Sequence, residues 1–166
     1  MTVDDGTDEA GTSDSTAPVG GMSGDRQGPL AGLRLLVVDD SRTVRRSAAG
    51  FLEEAGAEVT LADDGFSALA SLVQVRPHAL VADIVMPRLD GYQVCSLVRA
   101  NADFAHTPVI LLSSRDGLFD RARGSVAGAS GHLAKPIDRD LLIRTVAELV
   151  GTDAADETSP PRGGAL

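Results

Sequence analysis

Five polar side chains stand where apolar segments of the sequence end. They are Asp39 and Asp40 after LRLLVV, Asp83 in ALVADI, Ser113 in VILLS and Lys135 in HLAK. A carboxylate left unpaired among apolar side chains would be costly or stay protonated, so Asp83 needs an open position. Pro87 and the Asp90-Gly91 pair follow closely and predict that the segment ends at Asp83.

Brought together, these residue types indicate metal-assisted chemistry on a phosphoryl group. Three carboxylates within a few ångströms repel one another and need a cation. Oxygen ligands without histidine or cysteine suit Mg²⁺, which also binds phosphate oxygens. A lysine and a hydroxyl that face the same point can hold the charge and an equatorial oxygen of a transferred phosphoryl group.

The elements that must position these residues alternate along the chain. Five apolar segments predict strands at 33–38, 58–62, 79–84, 109–113 and 132–135, and each gap has room for one helix. Ser41 and Asp138 are expected N-caps, and Gly56 is an expected helix stop. The second helix has an apolar stripe at Phe66, Leu69 and Val73. The third helix should begin near Tyr92, and the fourth should cover about 119–127.

This alternation, with nearly continuous apolar strands, predicts an α/β fold with a doubly wound five-stranded parallel sheet. In such sheets ligands bind beyond the carboxyl ends of the strands, where the strand order reverses. All five polar residues lie at such ends. We therefore expect them to converge on one crevice.

Composition divides the chain into one domain and two tails. Residues 1–30 and 151–166 are rich in small and polar residues and predict disordered segments, which leaves 31–150 as the domain. Of the 24 acids, six lie in 1–30 and three in 151–166, so 15 face 13 Lys and Arg in the domain. This balance argues against direct binding of nucleic acid, which needs a basic field.

The sequence also limits disulfides and the cellular compartment. A single cysteine, Cys95, excludes an internal disulfide and a multi-cysteine metal site, and its apolar neighbours predict a buried thiol. The acidic N-terminus lacks the apolar core of a secretory signal. No apolar run approaches the roughly 20 residues that span a bilayer. We expect a soluble cytoplasmic protein without membrane insertion.

From about residue 33 to residue 150, the chain resembles the receiver domains of bacterial two-component response regulators, similar to CheY. The motifs VVDDS, DIVMPRLDG, LLSS and LAKP stand in order, each at a predicted strand end. The stretches PRLDGYQVCSLVRANADF and TPVILLSSRDGLFDRARG look most like single-domain receivers of the twitching-motility, PilG-like branch. The resemblance implies a flavodoxin-like (βα)5 fold with strand order 2-1-3-4-5.

The resemblance also implies the function and its residues. A histidine kinase or a phosphotransfer protein would donate a phosphoryl group to Asp83, Lys135 would contact that group, and Ser113 would be the switch hydroxyl. The implied Mg²⁺ ligands are Asp39, Asp40, Asp83 and the backbone carbonyl of Val85. A downstream effector protein would read the phosphorylation state, in motility or chemotaxis-like control. Self-phosphorylation and self-dephosphorylation would be its one enzyme-like activity.

His132 departs from the family pattern. It stands three residues before Lys135, where the family usually has an aromatic residue that moves inward on phosphorylation. An imidazole can be buried or exposed, so His132 remains a candidate switch residue.

Two other interpretations stay open. A nucleotide- or flavin-binding α/β module would need a Gly- or Ser/Thr-rich phosphate loop after the first strand, where this chain has Asp39 and Asp40. A receiver that only docks to partners would not need phosphorylation, although this chain has every acceptor residue.

Overall fold

The computed structural model describes residues 27–114 and 118–158, with the backbone alone for 118–120 and 152–158. Strands and helices alternate along these residues. The strands are β1 (Arg34–Val38), β2 (Glu58–Ala62), β3 (Ala79–Asp83), β4 (Val109–Ser113) and β5 (Gly131–Ala134). The helices are α1 (Arg42–Glu54), α2 (Gly65–Val75), α3 (Gly91–Ala100), α4 (Leu118–Ala127) and α5 (Arg139–Thr158). The predicted disorder of residues 1–26 and 159–166 concerns segments outside the described residues.

The strands form one parallel sheet in the order β2-β1-β3-β4-β5, as predicted. The central strands β3 and β4 are buried along their whole length, because helices cover both faces of the sheet. Helices α1 and α5 pack on one face, and α2, α3 and α4 pack on the other. The strand order reverses between β1 and β3, so their carboxyl ends open the crevice in which such folds bind ligands.

Short polar side chains begin the helices where the sequence predicts them. The Ser41 hydroxyl accepts a hydrogen bond from the backbone N–H of Val44 at 3.3 Å. Asp138 accepts one from Leu141 at 2.9 Å. Both N-cap predictions are confirmed, and such caps typically contribute about 1 kcal/mol each.

The apolar stripe predicted for α2 is wrong at both ends. Phe66 and Val73 are exposed to 54% and 59%, whereas Ala68 and Leu72 are buried against the sheet. The helix approaches its neighbours closely at Gly65, where an added Cβ would lie 2.9 Å from the Leu89 Cβ. Ala68 and Leu72 therefore face inward, and Phe66 and Val73 point outward.

The domain begins before residue 31, where the sequence placed its boundary. Leu30 is fully buried, and its backbone N–H donates to the Ala55 carbonyl at 2.9 Å. Gly28 has a φ of +133°, and a Cβ there would lie 2.3 Å from that same oxygen. Glycine permits this close turn, which brings Leu30 into the core between the sheet and α1.

The last helix extends further than the sequence predicted. Residues 151–158 continue α5, although they were expected to be part of a disordered tail. Their alanines and acidic side chains are compatible with a helix, and the first helix-breaking residue after them is Pro160. No helix among the described residues is long and apolar enough to cross a membrane.

Candidate functional site

Three acids meet at the carboxyl ends of β1 and β3. Asp39 and Asp40 follow β1, and Asp83 is the last residue of β3. One carboxylate oxygen from each of the three lies within 4.8 Å of the others. Asp39 and Asp83 are buried, at 0% and 4% exposure, whereas Asp40 is exposed. The crevice therefore has two buried carboxylates and one that faces solvent.

Lys135 follows β5 and places its ammonium between the two buried acids. Its Nζ lies 3.0 Å from Asp83 Oδ1 and 3.1 Å from Asp39 Oδ2. The backbone N–H of Lys135 donates to the Ser113 carbonyl at 2.7 Å, which fixes the lysine to the end of β4. The ammonium thus compensates the charge of both carboxylates.

Burial and charge act against each other at this site. Burial raises the pKa of Asp83, and the nearby Asp39 carboxylate adds to this effect, while hydrogen bonds and attraction from Lys135 oppose it. Burial by itself would lower the pKa of Lys135. Its hydrogen bonds to Asp83 and Asp39 and their negative charges outweigh that effect, so the pKa of Lys135 is raised.

The turn into α1 holds Asp39 in place. Its Oδ1 accepts a hydrogen bond from the backbone N–H of Ser41 at 2.8 Å, and its carbonyl accepts one from Arg45 Nη1 at 2.7 Å. The candidate residues drawn from the sequence did not include Arg45. The available signal was its position one turn into the helix that directly follows Asp39.

The donor set fits a hard divalent cation. The three carboxylates supply oxygen ligands of the kind that Mg²⁺ prefers. Asp39 Oδ2 is buried, and the described residues give it an ion pair with Lys135 but no well-aligned hydrogen bond. A cation in the crevice would relieve the repulsion among the carboxylates.

Val85 contacts the site through its backbone. Its N–H lies 3.4 Å from Asp83 Oδ1, a long hydrogen bond. Its side chain is 68% exposed. The expectation that its carbonyl binds a metal stays a prediction.

Ser113 and His132 lie on the same face of the sheet. Ser113 ends β4 and is 5% exposed. It stands two residues after Leu111, whose register partner in β5 is His132, and residues two apart in a strand share a face. His132 is half-buried, and its buried Nε2 has no hydrogen-bond partner among the described residues. A cleft of about 300 Å³ lies beside it, lined by Arg121, Gly124, Ser125, Ala129, Ser130 and Gly131.

Comparison with known proteins agrees with this geometry. The family model described as "Response regulator receiver domain" matches residues 35–147, which is more than half of the chain. The chain belongs to the response regulator receiver domain family. Receiver domains are signalling components of two-component systems rather than classical enzymes, and their partners are histidine kinases or phosphotransfer proteins.

Curated relatives include one protein that this chain mostly covers and longer response regulators. Protein PilG of Pseudomonas aeruginosa is 47% identical over 115 residues, which cover 69% of this chain and 85% of PilG. Response regulator MprA of Mycobacterium leprae is 39% identical over 127 residues, which cover 76% of this chain and 55% of MprA. The chain thus spans about half of MprA and most of PilG, so it is a PilG-like receiver.

Solved receiver structures have the same fold. Chemotaxis protein CheY4 of Vibrio cholerae matches with a TM-score of 0.69 at 31% identity, over 72% of this chain and 99% of CheY4. A putative response regulator from Chloroflexus aurantiacus matches with a TM-score of 0.70 at 33% identity, over 72% of this chain and 98% of the Chloroflexus chain. The receiver fold with strand order 2-1-3-4-5 is therefore shared with CheY-like proteins.

Proposed function

We propose that this receiver accepts a phosphoryl group on the carboxylate of Asp83 from a histidine kinase or a phosphotransfer protein. The observation that carries this proposal is the position of Asp83 at the carboxyl end of β3, with Lys135 Nζ 3.0 Å from its Oδ1. A carboxylate oxygen is the nucleophile, and the lysine holds the negative charge that the phosphoryl group brings.

The acid cluster binds the cation that such a transfer requires. Mg²⁺ when bound supplies positive charge to the phosphoryl oxygens, and its expected ligands are Asp39, Asp40, Asp83 and the Val85 carbonyl. Asp39 is fixed by Ser41 and Arg45, so one ligand is already oriented before any cation arrives. Asp40 is the acid of the cluster that faces solvent and is the ligand that an entering ion meets first.

The output of the receiver depends on Ser113 and His132. A phosphoryl group on Asp83 would draw the Ser113 hydroxyl and the Lys135 ammonium toward its oxygens. Ser113 ends β4, which lies next to β3, and Lys135 follows β5, one strand further. The cleft beside His132 gives the imidazole room to change position. The surface formed by α4, β5 and α5 then differs between the two states, and an effector protein reads that difference.

The relatives support a proposal for the cellular role. Resemblance to the PilG-like branch and to a chemotaxis protein supports motility or chemotaxis-like control in the cytoplasm. The signal passes through protein contacts rather than direct binding of nucleic acid. Enzymatic activity is limited to self-phosphorylation and self-dephosphorylation.

Phosphorylation by a small donor tests the proposal. Acetyl phosphate with Mg²⁺ should add one phosphoryl group to the intact protein, as measured by mass spectrometry, and EDTA should prevent the addition. Asp83→Asn should add none, whereas the exposed-acid control Asp63→Asn should react like the natural chain. An unlabelled natural chain would favour a receiver that only docks to partners.

A further inference from the structure

Three arginines form an exposed basic face at the start of α1. Arg42, Arg45 and Arg46 are spaced so that they share one side of the helix. We call these three residues the basic face. They line a cleft of about 470 Å³ together with Leu61, Ala62, Asp63 and Ser67, so three positive charges stand against one negative charge among its lining residues.

Two of these arginines have no counter-charge in the described chain. Arg42 and Arg46 are exposed and make no ion pair or hydrogen bond with the residues that the structure describes. Arg45 uses one nitrogen to bind the Asp39 carbonyl. The basic face is therefore free to attract a negatively charged group.

The N-terminal segment leaves the domain near the other end of the same helix. The Leu30 N–H donates to the carbonyl of Ala55, the C-cap of α1, and the Gln27 carbonyl lies against Gly56. At 1.5 Å per residue, Ala55 is about 14 Å from Arg46 along the helix axis and about 20 Å from Arg42. Residues 1–26 are thus tethered within reach of the basic face.

The segment is acidic where the basic face is positive, and it is long enough to reach that face. Its acids include Asp4, Asp5, Asp8 and Glu9, and its one basic side chain is Arg26. Residues 10–26 are rich in Gly, Ser and Thr. A chain of this type with 17 residues between Glu9 and Gln27 has an average end-to-end distance of about 23 Å, close to the distance that must be spanned.

We propose that the acidic run of residues 4–9 docks on the basic face of α1 in the same molecule. A short tether holds the run at a local concentration in the millimolar range, so weak contacts between exposed charges are sufficient. A second copy of the chain at micromolar concentration cannot compete with this local concentration. Salt weakens the contact, because both sides are exposed to solvent.

A spin label on the segment tests the docking. The label is attached to Thr7→Cys in the full chain with Cys95→Ala, so that it reacts at one site, and amide intensities are measured by NMR. We expect amides of residues 42–46 and 62–67 to lose at least half of their intensity at low salt. About 0.5 M NaCl should restore them, since the screening length then falls to a few ångströms.

Matched variants identify the charges that matter. The double variant Arg42→Glu/Arg46→Glu should abolish the broadening, whereas Arg144→Glu, an exposed arginine on α5, should leave it unchanged. A second variant changes the segment alone and leaves the domain untouched. It carries Asp4→Asn, Asp5→Asn, Asp8→Asn and Glu9→Gln, and it should also lose the broadening.

Three results would overturn the proposal. The first is the absence of broadening on α1, or broadening spread evenly over every face of the domain. The second is unchanged broadening in the neutralised segment. The third is broadening that appears between molecules, in a mixture of spin-labelled and isotope-labelled protein, at the strength seen within one molecule. Phosphorylation by acetyl phosphate is measured separately, so failure here leaves the assignment of Asp83 intact.

Discussion

The ammonium of Lys135 lies 3.0 Å from the Asp83 carboxylate, although the two residues come from different strands of the sheet. The same ammonium contacts Asp39 at 3.1 Å, so one cation serves two buried acids. This sharing leaves negative charge in excess. A divalent cation in the crevice would compensate that excess.

The charge of Asp83 should reduce the stability of the fold at neutral pH. The pKa of Asp83 is raised in the folded state above its usual value of 3.8. Its charge therefore destabilises the fold above the folded pKa, and this destabilisation disappears as pH falls below 3.8. Asp83→Asn should therefore increase the free energy of unfolding at pH 7 without Mg²⁺, and the gain should shrink toward about pH 4. Urea denaturation at the two pH values measures it. An equal change in the free energy of unfolding at both pH values, or a loss of stability at pH 7, would contradict the burial argument.

Lys135→Met should destabilise the fold by about 3 kcal/mol in EDTA, because it leaves two buried carboxylates without their cation. Saturating Mg²⁺ should recover most of this loss, since an ion that binds the folded state alone at 100 times its Kd adds about 2.7 kcal/mol. The control is Arg139→Met, which removes exposed ion pairs with Glu54 and Asp140 and should cost less than about 1 kcal/mol. Denaturation with and without Mg²⁺ compares the two, and a loss that Mg²⁺ leaves unchanged would place the metal elsewhere.

Asp40 should matter for metal affinity and little for stability, because it is the exposed acid of the cluster. Asp40→Ala should weaken Mg²⁺ binding by about tenfold or more, as measured by calorimetric titration, while the melting temperature of the metal-free protein stays nearly unchanged. Asp63→Ala, which removes an exposed acid outside the cluster, is the matched control. Unchanged affinity in the Asp40 variant would exclude Asp40 as a ligand.

The sequence was most informative where polar residues interrupt apolar strands. Asp39, Asp83 and Ser113 are polar groups at the ends of segments that must be buried, and parallel strands bring their carboxyl ends to one edge. Their convergence follows from the pattern alone. The hydrogen bond from Arg45 to the Asp39 carbonyl does not, because the direction of Arg45 depends on where α1 begins relative to β1.

The errors in prediction arose where packing overrides composition. The stretch QGPL reads as part of a polar tail, yet the turn at Gly28 buries Leu30 completely. In α2, the close approach at Gly65 selects alanine and leucine for the buried side and leaves Phe66 exposed. Neither contact has a signature in a single sequence, because each depends on the distance between two elements.

Leu30 therefore provides a direct test of the domain boundary. Leu30→Ala should cost about 2–4 kcal/mol, as expected for a buried leucine. Deletion of residues 1–26 should change the unfolding free energy by less than about 1 kcal/mol. Chemical denaturation of the two variants and the full chain measures the difference. Equal losses in both would mean that the packing of Leu30 depends on the preceding segment.

The identity of the phosphoryl acceptor is the central claim, and borohydride trapping tests it most directly. Borohydride reduces an acyl phosphate on aspartate to homoserine, and tandem mass spectrometry of the digested protein then locates the modified residue. After treatment with acetyl phosphate and Mg²⁺, homoserine should replace aspartate at Asp83, and the Asp83→Asn variant should contain none. Homoserine at Asp39 or Asp40, or its persistence in the Asp83→Asn variant, would contradict the account.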